Sequence, residues 1–282
     1  MQGVAEFIPT ATKVGYLNRL LRVGFDTLDF GSFVSPKAIP QLRDTAEVMA
    51  NLDLSHTTTR LLAIVANLRG AAQALAYEPV TYLGFPLSVS ETFQQRNTNK
   101  SIVEALAEVA QINDLCTQRG KTLVVYLSMG FGNPYGDPYS PAVVEEVTAK
   151  LVALGVRILA PSDTVGSSTP ESITHLFRSL IATFPGVTFG AHLHSAPTTV
   201  TEKIAAAYQA GCRRFDGALK GFGGCPMAKD ELTGNLPTER ILAFLEAEGV
   251  APTLDREALA EAYAFADQVF LPGPDLQPNA CR

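Results

Sequence analysis

The 282-residue chain has no cluster of Lys and Arg, and its net charge is −6. That excludes a nucleic-acid partner, because phosphate backbones are held by grouped cations. Small anionic substrates stay open, since isolated basic residues can serve them. Only four cysteines occur, Cys116, Cys212, Cys225 and Cys281, with no CxxC pair among them. A chain this long does not need disulfide staples, so a reducing compartment is expected. No apolar run reaches the length of a membrane span, which argues against a membrane partner, and residues 1–20 lack the charged-then-apolar layout of a signal peptide. The expectation is a cytoplasmic protein. GxGxxG, the usual marker of a dinucleotide-binding open sheet, is absent, and so is any linker, repeat or low-complexity stretch.

What is present is alternation. Strand-like runs lie near Phe25–Phe30, Arg60–Val65, Thr81–Phe85, Thr122–Ser128, Arg157–Ser162, Val187–His194 and Arg213–Leu219. Helical patterns fall near 11–23, 37–51, 69–77, 99–119, 140–154, 170–183, 198–210, 237–248 and 255–269. Ser140-Pro141 and Thr169-Pro170 read as helix starts, with a hydroxyl cap before a first-turn proline. The order predicts an α/β fold of the TIM (β/α)8 barrel type, with its chemistry at the strand C-terminal ends. A helix, Thr10 to Val23, precedes the first of the seven strands, and residues 1–9 are too few to supply another strand and its loop. A barrel lacking its first strand is therefore expected, with that strand encoded upstream of Met1. Residues 1–270 are expected to form a single domain, and 271–282, with three prolines, an irregular tail.

The stretch from Gly186 to Asn235 carries the densest chemistry. On a strand, residues i and i+2 share a face, so His192 and His194 point the same way. A lone histidine reads as a hydrogen-bonded core residue. Two of the chain's four, alternate on one strand, read as ligands of a hard or borderline divalent ion with positions left for substrate. Cys225 sits in Gly221-Phe-Gly-Gly-Cys-Pro226, where Gly223 and Gly224 let backbone approach a ligand. It reads either as an inert buried thiol or as a loop thiol brought to substrate. Asn235 is a turn residue or a third, amide ligand. Asp163 closes one strand, as a turn residue or as a member of the site, and Asp29 closes another, ahead of a loop that caps a helix or joins the site. After Asp29 comes a small-residue loop in which Ser35 and Pro36 are expected to start a helix. Lys37, Arg69, Arg96, Lys100, Lys220 and Lys229 flank the strand-end loops, as solvated charges or as holders of a nucleotide phosphate tail.

Ser32-Phe-Val-Ser-Pro-Lys37 with Pro40-Gln41, Asn67-Leu-Arg-Gly70, Ser90-Glu-x-Phe93 with Asn97 and Asn99, Asp163-Thr-x-Gly166, His192-x-His194, the glycine-rich cysteine loop and Gly234-Asn-Leu236 follow one another along nearly the whole chain. Taken together they resemble the hydroxymethylglutaryl-CoA lyases, metal-dependent TIM-barrel enzymes. The resemblance implies cleavage of 3-hydroxy-3-methylglutaryl-CoA to acetyl-CoA and acetoacetate by a retro-Claisen reaction with Mg2+ or Mn2+, in leucine breakdown or ketone metabolism. It implies a homodimer with an acyl-CoA substrate. By position, His192, His194 and Asn235 would bind the metal, and Cys225 would take part in proton transfer. Asp29 and Asp163 would line the substrate pocket, and Ser32, Asn97, Gly223 and Gly224 would contact substrate. Three departures set the chain apart. Ser195 stands where the lyases carry Asp, Val124 where Arg is usual, and Asp29 where Glu is usual. Met1-Gln2-Gly3 matches the part just after the family's Arg-Asp pair, whose Asp is a further metal ligand. A lyase acting on another 3-hydroxyacyl-CoA, or an inactive CoA-binding barrel, are the alternatives.

Overall fold

The computed structural model describes the chain except residues 2, 3, 5, 224–233 and 272–282, so the expected tail lies almost wholly outside the described residues. Nine strands are present among them: β1 (Thr27–Ser32), β2 (Arg60–Ile64), β3 (Val80–Ser88), β4 (Thr122–Ser128), β5 (Ile158–Pro161), β6 (Thr188–Ala191), β7 (His194–Ser195), β8 (Arg214–Phe215) and β9 (Gly234–Asn235). Seven make one parallel sheet in the order β1-β2-β3-β4-β5-β6-β8. The helices are α1 (Thr10–Val23), α2 (Thr45–Ala50), α3 (Leu68–Ala74), α4 (Glu91–Thr98), α5 (Ile102–Gln118), α6 (Pro141–Ala153), α7 (Pro170–Thr183), α8 (Val200–Gln209), α9 (Thr238–Ala247) and α10 (Arg256–Phe270). Parallel neighbours need a crossover, and helices supply it between successive strands of the sheet. This is the α/β barrel architecture, with seven parallel strands and a helix ahead of the first. Among the described residues no helix is long and apolar enough to cross a membrane.

Strand alternation sorts the side chains. Leu61, Ala63, Leu83, Phe85, Leu87, Leu123, Val125, Leu127, Leu159 and Phe189 are buried in the apolar core, which is continuous from Ile8 to Val269. The intervening residues line the inner face of the curled sheet. Register stacks them in layers: Val124 opposes Ile158, Tyr126 opposes Ala160, and Gly190 opposes Arg214. One level nearer the strand C-termini, Ser162 bridges His192. A bulge in β1 between Asp29 and Gly31 shifts its register against β2. A Cβ at Gly31 would lie 2.7 Å from Thr45 Cγ2, so only glycine fits there.

Some helix starts follow the expected capping chemistry, but α6 does not: Ser140 stands before Pro141 without accepting a capping hydrogen bond. Ser101 and Glu104 form a capping box on α5, and Thr169 and Ser172 do the same on α7, which begins at Pro170. Three expectations are corrected. The pattern over 37–51 is broken, because Pro40 opens only a single 3-10 turn before α2, and Ser35 accepts from the Lys37 amide in a turn instead of capping a helix. The helix α4 escaped notice because its sequence is polar and almost without apolar period; Ser90 caps it by accepting from Phe93 N. Finally, His192 and His194 do not share one strand. The chain leaves the barrel sheet after Ala191, and His194–Ser195 pairs antiparallel with Gly234–Asn235.

Candidate active site

Two histidines anchor the site, each through the same ring nitrogen. His192 Nδ1 is 3.3 Å from Asp216 Oδ2, and His194 Nδ1 is 3.2 Å from the Thr164 carbonyl oxygen. A carbonyl only accepts, so His194 carries its proton on Nδ1 and keeps the Nε2 lone pair. Enclosure alone would raise the Asp216 carboxyl, but the hydrogen bond and charge of His192, with Arg214 nearby, outweigh it and hold Asp216 low. Ionised Asp216 accepts from His192 Nδ1–H, leaving that Nε2 free as well. Burial, reinforced by His192, lowers the His194 pKa to about 4, so its imidazole is neutral at physiological pH. The rings lie 5.7 Å apart, centroid to centroid.

Asn235 is held opposite His194 in the β7–β9 pair. Its Nδ2 donates to the Phe222 carbonyl at 3.0 Å, and its side chain also hydrogen-bonds His194, so the amide belongs to the same cluster. A Cβ at Gly223, where φ is +86°, would lie 3.1 Å from that Nδ2, so glycine gives the amide its room. Among the described residues no three His, Cys, Asp or Glu side chains cluster as a metal site. Two imidazoles fixed from behind through Nδ1 and an amide side chain nevertheless fit a hard or borderline divalent ion that keeps several positions for substrate oxygens.

Asp29 reaches this cluster from β1. Its side chain is exposed to solvent, while protein atoms crowd around the carboxyl. Enclosure raises its pKa to about 7, and Asp216 adds to the effect. The Tyr126 ring meets His192 edge-on at 5.3 Å, and its hydroxyl pKa is pushed well up by burial and by Asp216 and Asp29.

The remaining candidates are placed differently. Asp163 does not turn its carboxylate free toward substrate: Lys203 donates to Oδ2 at 2.8 Å and the Ser168 hydroxyl at 2.5 Å. Lys203, also buried, bonds the His194 carbonyl at 2.8 Å and the Gly166 carbonyl at 3.2 Å. Asp163 thus supports the site from beneath. Ser32 is buried, donating to the Ile64 carbonyl and accepting from Val34 N. Asn97 is exposed on α4. Cys225, Gly224 and Lys229 lie outside the described residues. Of the loop cations, Lys220 pairs with Asp267, Lys100 with Glu108, and Arg96 lies over the Tyr135 ring, while Lys37 and Arg69 are exposed.

Sequence reasoning missed Asp216, Tyr126, Arg214 and Lys203. Arg214-Phe-Asp216 had a readable signal, two charges alternating on a barrel strand. The other two are legible only in three dimensions.

The profile of the HMGL-like family matches residues 1–265. A hydroxymethylglutaryl-CoA lyase of Bacillus subtilis is 32% identical over 280 residues, covering 98% of this chain and 93% of that protein. An (R)-citramalyl-CoA lyase of Chloroflexus aurantiacus is 30% identical over 271 residues, covering 93% of this chain and 85% of its own. The crystal structure of the B. subtilis lyase superposes with a TM-score of 0.89 over 98% of this chain and 93% of that one. A lyase from Acinetobacter baumannii, solved with coenzyme A and 3-methylmalate, is 27% identical with a TM-score of 0.86 over 98% of this chain and 93% of its own. On sequence and fold together, the chain belongs to the HMGL-like family.

Proposed function

We propose that the protein is a carbon–carbon lyase that cleaves 3-hydroxy-3-methylglutaryl-CoA to acetyl-CoA and acetoacetate. The observation carrying this reading is the pair His192 and His194, each anchored through Nδ1, inside a chain whose family match runs from residue 1 to residue 265. His192, His194 and the Asn235 amide oxygen would hold Mg2+ or Mn2+. The ion, when bound, supplies Lewis-acid polarisation of substrate oxygens. The enzyme works as a cytoplasmic homodimer on an acyl-CoA thioester.

Asp29, with its pKa near 7, accepts the proton of the C3 hydroxyl. The C2–C3 bond then breaks, and its electron pair stays with C2, conjugated with the thioester as an enolate. C3 becomes the ketone of acetoacetate. The acetyl-CoA enolate takes a proton from the Cys225 thiol, which Asp29 replenishes through solvent. Asp163 acts through position, since Lys203 links its carboxylate to the His194 backbone. Ser32, Asn97, Gly223 and Gly224 border the path of the CoA chain.

Incubating the purified protein with Mg2+ and hydroxymethylglutaryl-CoA should release acetoacetate, and Cys225→Ala should cut the rate at least about 100-fold. No acetoacetate from the wild-type chain would sink the reading. Val124, Ser195 and the citramalyl-CoA relative favour a second one, a lyase on a related 3-hydroxyacyl-CoA. Faster turnover of citramalyl-CoA in the same assay would select it.

A further inference from the structure

We infer that Arg214 is a specificity-determining residue that grips a free carboxylate on the acyl part of the substrate. The inference rests on the lyase reading for the identity of the thioester, but not for the presence of an anion. Arg214 lies on β8 opposite Gly190, on the same inner face as Asp216, one level below His192. Its layer also holds Tyr126 on β4, and between the two stand only Ala160 and Gly190. A Cβ at Gly190 would sit 3.1, 3.2 and 3.4 Å from Arg214 Cδ, Cγ and Nε. Glycine on the neighbouring strand therefore makes the channel along which the arginine extends.

What the guanidinium does there is unfinished. Its Nε forms an ion pair with Asp216 Oδ1 at 3.7 Å, too long for a hydrogen bond, and the other Asp216 oxygen is committed to His192. Among the described residues, Arg214 donates no side-chain hydrogen bond. An arginine fork with five N–H donors, enclosed beside a catalytic cluster, carries a desolvation cost that a planar carboxylate offsets best. Its side chain is 22% exposed, so solvent reaches this depth of the cleft. The layer beneath carries Val124 and Ile158, so the polar floor ends here on these strands. The charged and titratable groups around it are Asp216, Asp29, His192 and Tyr126; Asp216 is already engaged, and the Tyr126 hydroxyl is an additional donor for the same anion. A dicarboxylic acyl group entering tail-first would set its carboxylate on Arg214 and its hydroxyl at the level of His192.

The test is calorimetry on the intact chain in excess Mg2+, comparing 3-hydroxyglutaryl-CoA with 3-hydroxybutyryl-CoA, which lacks the carboxylate. The wild type should bind the anionic thioester at least about ten-fold tighter. Arg214→Gln should reduce that ratio to within about two-fold, and Arg214→Lys should retain part of it, as a point charge replaces the fork. Gly190→Ala, which crowds the arginine, should weaken the anionic ligand selectively and decides the matter if Arg214→Gln does not fold. A ratio unchanged in these variants, or absent in the wild type, overturns the inference. If acetoacetate is never released yet the preference exists and needs Arg214, the lyase reading fails and the carboxylate site stands. Turnover with an intact preference in Arg214→Gln means the reverse.

Discussion

Asp216 and His192, 24 residues apart in sequence, are joined by a 3.3 Å contact between carboxylate and Nδ1 that fixes which ring nitrogen faces the cleft. Replacing Asp216 by Asn keeps the shape but removes the acceptor's charge. Affinity for the divalent ion should fall about 10–100-fold, with a matching loss of turnover at limiting metal. Mn2+ binding followed by electron paramagnetic resonance checks this directly. Unchanged binding would show that Asp216 does not tune His192.

His194 gives a pH signature. Its pKa is about 4 in the folded chain against 6.5 for an ordinary histidine, so between those values the unfolded chain binds the extra proton. Stability of the metal-free protein should therefore be full above pH 6.5 and decline as pH falls toward 4, by roughly 3 kcal/mol in all. Urea midpoints across that window measure the slope, and His194→Asn should flatten it. Equal slopes in the two proteins would contradict the assignment.

The Lys203–Asp163 pair lies almost wholly out of solvent. Breaking it from one side leaves a charge without its partner. Lys203→Met should cost about 3–5 kcal/mol in denaturant unfolding. The double variant Lys203→Met with Asp163→Asn should recover part of that loss, because no charge is then stranded. Additive losses would mean the two residues act independently.

The barrel frame was legible because alternating residues and capping pairs act locally. Strand β4 follows the pattern of Thr122–Ser128, and α7 starts where Thr169-Pro170 says it must. The HxH spacing likewise brought two rings together, although by a different route: the chain bends out of the sheet at Leu193, which packs its side chain into the core. Local pattern carries no information on what lies across the barrel. Asp216 behind His192, and Lys203 under Asp163, depend on the roll of the sheet and the docking of α8. The helix α4 was invisible for the opposite reason. It is held by its ends and by Asp137, which accepts from Ser90, Thr92 N and Thr92 Oγ1, so it needs little apolar stripe.

The short β7–β9 ladder gives the cysteine loop a closed neck. Asn235 N donates to the Gly223 carbonyl at 3.3 Å, so the chain enters and leaves residues 224–233 at points tied to each other. The same bond holds the amide opposite His194 in register from the side of Gly223. The Asn235 amide is thereby positioned by two short backbone ties, one to Gly223 and one to the His194 strand, and a substitution that disturbs either tie should displace it.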